Sequence, residues 1–84
     1  MQVEFFGIPR QRAGVSELQI QADTLGQLLT ILAARMPVLS ELISGSHLNS
    51  AFVASLNGDR FISDPETPLR DSDHLLILSA DAGG

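Results

Sequence analysis

The side chains that usually carry catalysis are few in this chain, and they are scattered. His47 and His74 lie far apart with no metal-ligand spacing, and there is no cysteine. Disulfides, thiolate metal sites and a cysteine nucleophile are therefore excluded. Asp71 and Asp73 flank a turn, where aspartate commonly bonds local backbone rather than working as an acid/base pair. No glycine-rich loop precedes a helix to cradle phosphate, and no serine sits in a nucleophile-elbow motif. The expectation is a chain with no metal, no bound cofactor and no catalysis of its own. One reactive group is left, the C-terminal carboxylate of Gly84, at the end of Ala80-Asp81-Ala82-Gly83-Gly84.

A carboxylate is a poor electrophile until it is activated. Attack on the α-phosphate of ATP would give an acyl-adenylate, and sulfur delivery would then leave a terminal thiocarboxylate. Nothing in the chain is suited to hold ATP, so a separate enzyme must supply nucleotide, magnesium and positioning. Asp81, Ala82 and Gly83 are the residues expected to thread into that partner's active site. Glycine has no Cβ and lets the backbone approach another surface closely. Five extended residues reach about 17 Å at most.

The rest of the chain must hold this tail on a rigid support. Its 84 residues are enough for one domain, expected at 1–79 with a flexible tail at 80–84. A hydrophobic content of 44% indicates a folded globule. A net charge of −5 argues against a nucleic-acid partner, which needs a basic surface. No apolar run has the length of a membrane span, and the first residues lack the basic-then-apolar pattern of a secretion signal. A cytoplasmic location and no membrane partner are expected. All five basic residues are arginines, so the tail cannot form an isopeptide bond to a lysine of its own chain.

Alternation predicts strands over 2–6 and 16–20, joined by a loop through Gly14 that carries Arg10 and Arg12. Thr24 and Gln27 fit a capping box. Leu25, Leu28, Leu29, Leu32 and Met36 then form one helical stripe, which Pro37 ends. Leu39, Leu42 and Ile43 suggest a further helical turn, with a polar loop over 44–50. A strand over 51–56 leads to Asn57-Gly58, residues that tolerate the positive φ of a type I′ turn. A short return strand follows at 60–62, then a core plug at Leu69 and a last strand over 74–79. One helix across one mixed sheet makes an α+β roll of β-grasp form if the last strand pairs with the first. With Leu75 and Ile77 inward, alternation turns Leu76 and Leu78 outward beside Phe6, an apolar patch expected to bind a partner.

Taken in order, Val3-Glu4-Phe5-Phe6-Gly7, Thr24-Leu25-Gly26-Gln27-Leu28-Leu29, Leu56-Asn57-Gly58-Asp59, the stretch from Asp64 to Asp73 and the ending Ala82-Gly83-Gly84 resemble the MoaD/ThiS sulfur-carrier family, with its ubiquitin-like fold. The likeness spans essentially the whole chain and leans toward the small subunits of molybdopterin synthase. It implies activation by a ubiquitin-activating-enzyme-like adenylyltransferase, a sulfur donor system, and docking to the large synthase subunit. There the Gly84 thiocarboxylate would give sulfur to a pterin precursor of molybdenum cofactor. A thiamine-type or other-pathway carrier and a ubiquitin-like protein modifier remain the alternatives. Two positions depart from the family pattern: Ser79-Ala80-Asp81 stands where prolines are common, and Ser72 where glycine is usual.

Overall fold

The computed structural model describes residues 1–83, so Gly84 lies outside the described residues. Its strands are β1 (Gln2–Phe5), β2 (Glu17–Gln19), β3 (Ile43–Ser44), β4 (His47–Leu48), β5 (Phe52–Leu56), β6 (Arg60–Ile62) and β7 (His74–Ser79). Its helices are α1 (Ile8–Ala13), α2 (Leu25–Arg35) and α3 (Ala80–Gly83), and Pro37–Leu39 forms a 3₁₀ turn. The main sheet runs β2-β1-β7-β5-β6. The last strand lies parallel to the first, with Val3 opposite Leu75 and Phe5 opposite Ile77, while β5 closes antiparallel on its other side. This is the ubiquitin-like β-grasp roll expected from the pattern.

Amphipathic patterning explains the core. Alternation buries Val3 and Phe5 on β1, Leu75 and Ile77 on β7, and Ala54 and Leu56 on β5. Leu25, Leu28, Leu29 and Leu32 of α2 meet them as a continuous stripe. Thr24 caps α2: its hydroxyl accepts the Gln27 amide at 3.2 Å, while the Gln27 side chain accepts the Asp23 amide at 2.6 Å. The reciprocal bond thus reaches one residue further out than the usual capping box. Met36, half-buried, has left helical dihedrals ahead of Pro37. Leu69 fills the core as expected.

Two expectations are corrected. The segment expected as a loop through Gly14 contains α1. Pro9 occupies a first-turn position where proline fits, and Gly14 ends the helix at φ 76°. The helical turn expected at Leu39–Ile43 and the loop after it give way to a 3₁₀ turn and the β3–β4 hairpin, with Ile43 opposite Leu48. The backbone of Ala80–Gly83, where the tail begins, makes one helical turn. Alanine favours helix and Asp81 sits in the first turn, where a negative charge suits the helix dipole. The Asn57-Gly58 turn does adopt positive φ at both residues, 57° and 65°.

Candidate functional site

The tail leaves the end of β7, a strand hydrogen-bonded on both edges, so its origin is fixed by the centre of the sheet. The Ala80 amide donates to the Ala51 carbonyl at 2.8 Å, tying the start of α3 to the segment before β5. Asp81 is exposed on this turn, and the backbone of Ala82 and Gly83 continues it. The carboxylate expected to react, on Gly84, lies outside the described residues.

The sheet face opposite α2 carries the expected patch, with one correction. Phe6 is 54% exposed and its amide donates to the Ile77 carbonyl at 3.0 Å, which sets it beside Leu78. Leu76 is half-buried on the same face. Leu78, expected to be open, is only 8% exposed. It stands on the central strand opposite Val53, with Phe6 on the other side and the α3 turn directly after it. It shares the outward face with Leu76 but is nearly closed to solvent.

Two residues extend the patch that alternation on β7 alone could not place. The pairings Leu76 with Ser55 and Ser55 with Phe61 carry the outward row across to the edge strand. Phe61, 61% exposed, and half-buried Val53 therefore share this face. The Asn57-Gly58 pair alone gives the wrong register: a two-residue turn would pair Leu56 with Asp59 and turn Phe61 inward, whereas the connection holds three residues and pairs Leu56 with Arg60. At the other end of the patch, His74 Nε2 and Glu4 Oε1 lie 2.8 Å apart and form a polar rim. Around the edge beyond Phe61, a groove of about 360 Å³ is lined mainly by Leu25, Leu29, Leu48, Phe52 and Ile62.

Asp71 and Asp73 do not act as a pair: the Asp73 carboxylate accepts from Asn57 Nδ2 at 2.9 Å and from the Arg70 amide at 2.8 Å. The Asn57 bond first, then the Arg70 amide, hold the Asp73 carboxyl below its ordinary pKa. Among the described residues no group of histidines and carboxylates is arranged to hold a metal, and no helix is long and apolar enough to cross a membrane. What the arrangement offers is a rigid strand, an apolar face beside it, and a small-residue tail at its end.

Solved structures share this fold. Small archaeal modifier protein 1 from Methanosarcina acetivorans is 27% identical over 99% of this chain and 94% of its own, with a TM-score of 0.79. Subunit 1 and 2 of molybdopterin-converting factor from Helicobacter pylori 26695, solved as a protein–protein complex, include a chain 29% identical over 99% of this one and 96% of its own, with a TM-score of 0.69. The BexX/CysO complex of Amycolatopsis orientalis gives a TM-score of 0.77 at 23% identity over 99% of this chain and 98% of the other, a likeness of fold alone. No curated protein matches the sequence. The ThiS family model matches residues 3–84, the described domain together with the Gly83-Gly84 ending. With a family match of that extent on a β-grasp frame, the chain belongs to the ThiS family of MoaD/ThiS-type sulfur carriers.

Proposed function

We propose that this protein carries sulfur as a thiocarboxylate on Gly84 and donates it as the small subunit of molybdopterin synthase. The observation that carries this reading is the family match running through the Gly-Gly ending. A ubiquitin-activating-enzyme-like adenylyltransferase would bind ATP and magnesium, neither of which this chain would hold itself. The Gly84 carboxylate oxygen attacks the α-phosphate, pyrophosphate leaves, and a sulfur donor then displaces AMP from the acyl carbon. The large synthase subunit would next receive the tail, with the Phe6, Leu76, Leu78 and Phe61 face docked against it. These steps belong in the cytoplasm, where the pterin precursor would be met. The likeness to the Helicobacter pylori complex supports the molybdopterin branch.

The likeness to small archaeal modifier protein 1 supports a second reading, a modifier joined through Gly84 to other proteins. A carrier for thiamine or another sulfur pathway would share the first chemical steps. One experiment separates carrier from modifier: incubation with the cognate adenylyltransferase, ATP, magnesium and a sulfur donor, followed by intact-protein and C-terminal-peptide mass spectrometry. The expected product is the chain with one oxygen of Gly84 replaced by sulfur. Adenylation without sulfur uptake, followed by attachment to lysines of other proteins, would establish the modifier instead.

A further inference from the structure

Across the strands, the outward face of the main sheet carries one continuous row of side chains. The pairings Glu17 with Glu4, Glu4 with Leu76, Leu76 with Ser55 and Ser55 with Phe61 set these residues side by side, from the β2 edge to the β6 edge. Neighbouring strands lie about 4.8 Å apart, so the row is roughly 19 Å long. One end is acidic and the other apolar.

The acidic end works against the fold. Glu4 and Glu17 stand directly opposite each other across the β1–β2 pair, an arrangement in which like charges destabilise a sheet. The arginines do not relieve it: Arg12 pairs with Glu41, Arg35 donates to the Gln19 carbonyl at 3.1 Å, and Arg60 and Arg70 line the depression beside Asp73. Glu17 is exposed and has no cation within ion-pair distance among the described residues. His74 Nε2 lies 2.8 Å from one oxygen of Glu4, and the other oxygen has no partner among the described residues. Beside this pair a shallow depression of about 410 Å³, lined by Glu4, Ser55, His74 and Leu76 among others, joins the carboxylates to the apolar part of the row.

We infer that this row is a two-part docking surface whose occupant is a protein presenting an arginine or lysine about 5–10 Å, one to two strand spacings, from an apolar side chain. The apolar side chain meets Leu76 and Phe61, while the cation meets Glu4 and Glu17 and relieves their repulsion. A second copy of the chain is a poor occupant. Laid on this face in one direction it sets carboxylates against carboxylates, and in the other it sets them against Phe61. Charges beside an apolar contact select partners, because a wrongly charged surface is repelled. The inference rests on the reading above that the apolar face docks a partner, and it adds Glu4 and Glu17 as the residues that choose which one.

The test is calorimetric titration of the full chain with the large synthase subunit and with the adenylyltransferase, at low and high salt, beside urea denaturation of the chain alone. Glu17→Lys should weaken binding to at least one of them by about tenfold or more at low salt. The loss should shrink to within about threefold near 1 M salt, where the screening length falls to about 3 Å. Glu66→Lys makes the same change of charge on the Pro65 loop, which packs against Gly26 of α2. It should cost less than about threefold, since it lies off the face. Glu17→Gln should leave the urea midpoint unchanged or raised, because a repulsion is removed. Parent-like binding of Glu17→Lys to both proteins overturns the inference. So does an equal loss in Glu66→Lys, which would make the effect one of overall charge, and so does a lowered urea midpoint in Glu17→Gln, since the carboxylate would then serve the fold. If the parent chain binds neither protein, the docking reading itself fails and the inference falls with it.

Discussion

At Asn57 one residue combines a left-handed backbone with bonds to the start of the tail-bearing strand. Its amide donates to the His74 carbonyl at 2.7 Å, its Oδ1 accepts the His74 amide at 2.8 Å, and its Nδ2 donates to Asp73. Since the folded Asp73 carboxyl binds its proton less tightly than the unfolded one, its stabilising contribution is complete above the ordinary carboxylate pKa. It disappears as pH falls through the lowered folded value. An Asp73→Asn variant should therefore be slightly less stable at pH 7, by under about 1 kcal/mol because solvent screens the group. It should also lose less stability than the parent on acidification, as thermal melts at neutral and acid pH would show; equal acid sensitivity would remove Asp73 from the account. Gly26 makes a second residue-scale demand. A Cβ there would lie 2.9 Å from the Pro65 ring and 3.2 Å from the Pro65 carbonyl, which accepts the Gly26 amide at 2.9 Å. Alanine gains about 1 kcal/mol of helix propensity, but the rigid proline must shift, at a cost of about 1–3 kcal/mol. Chemical denaturation should find Gly26→Ala neutral to destabilised, and clear stabilisation would mean the proline loop yields freely.

Elements differ in how far the sequence revealed them, and the differences have physical causes. The stripe on α2, its Thr24 cap and the alternation on β7 were legible because each spans enough residues for its period to repeat. In α1 only six residues are helical, too few for a stripe, so a loop through Gly14 is all that the pattern shows, although Pro9 and Gly14 are the helix's first-turn and C-terminal signals. Leu39, Leu42 and Ile43 have helical spacing that masks the one local signal for β3 and β4, the Gly45-Ser46 pair, a two-residue turn with Gly45 at φ 63° between the paired Ser44 and His47. Alternation turned Leu78 outward correctly, but how far its neighbours cover it depended on the assembled sheet. The patch consequently has a specific test. Leu76→Asp places a charge on a half-buried outward position and should weaken binding to the large synthase subunit or the adenylyltransferase by tenfold or more, about 1.4 kcal/mol or above. Circular dichroism and calorimetric titration would check it: a folded variant with unchanged affinity would move the docking surface elsewhere.

Across the whole molecule, the packed core and the tail lie in different parts of the chain. Among the described residues the core cluster runs from Met1 to Ile77. Removing Gly83 and Gly84 should shift the melting temperature by no more than about 2 °C, well under the shift expected for 1 kcal/mol in a domain of this size. It should abolish adenylation, and normal adenylation of the truncated chain would refute the role of Gly84. The central position of β7 has a further consequence, which concerns the order of synthesis. Gln2 pairs with His74, so the strand that completes the middle of the sheet is made about 70 residues after its neighbour β1. Until it leaves the ribosome, β1 and β5 lack their common neighbour and the α2 stripe has no finished surface to cover. Folding must therefore wait for residues 74–79 to be made, and closing so long a loop favours a single late, cooperative step over piecemeal assembly. A nascent chain interrupted before residue 74 would lack both the central strand and the tail, so the chain's end would reach its partners only on a molecule able to complete its fold.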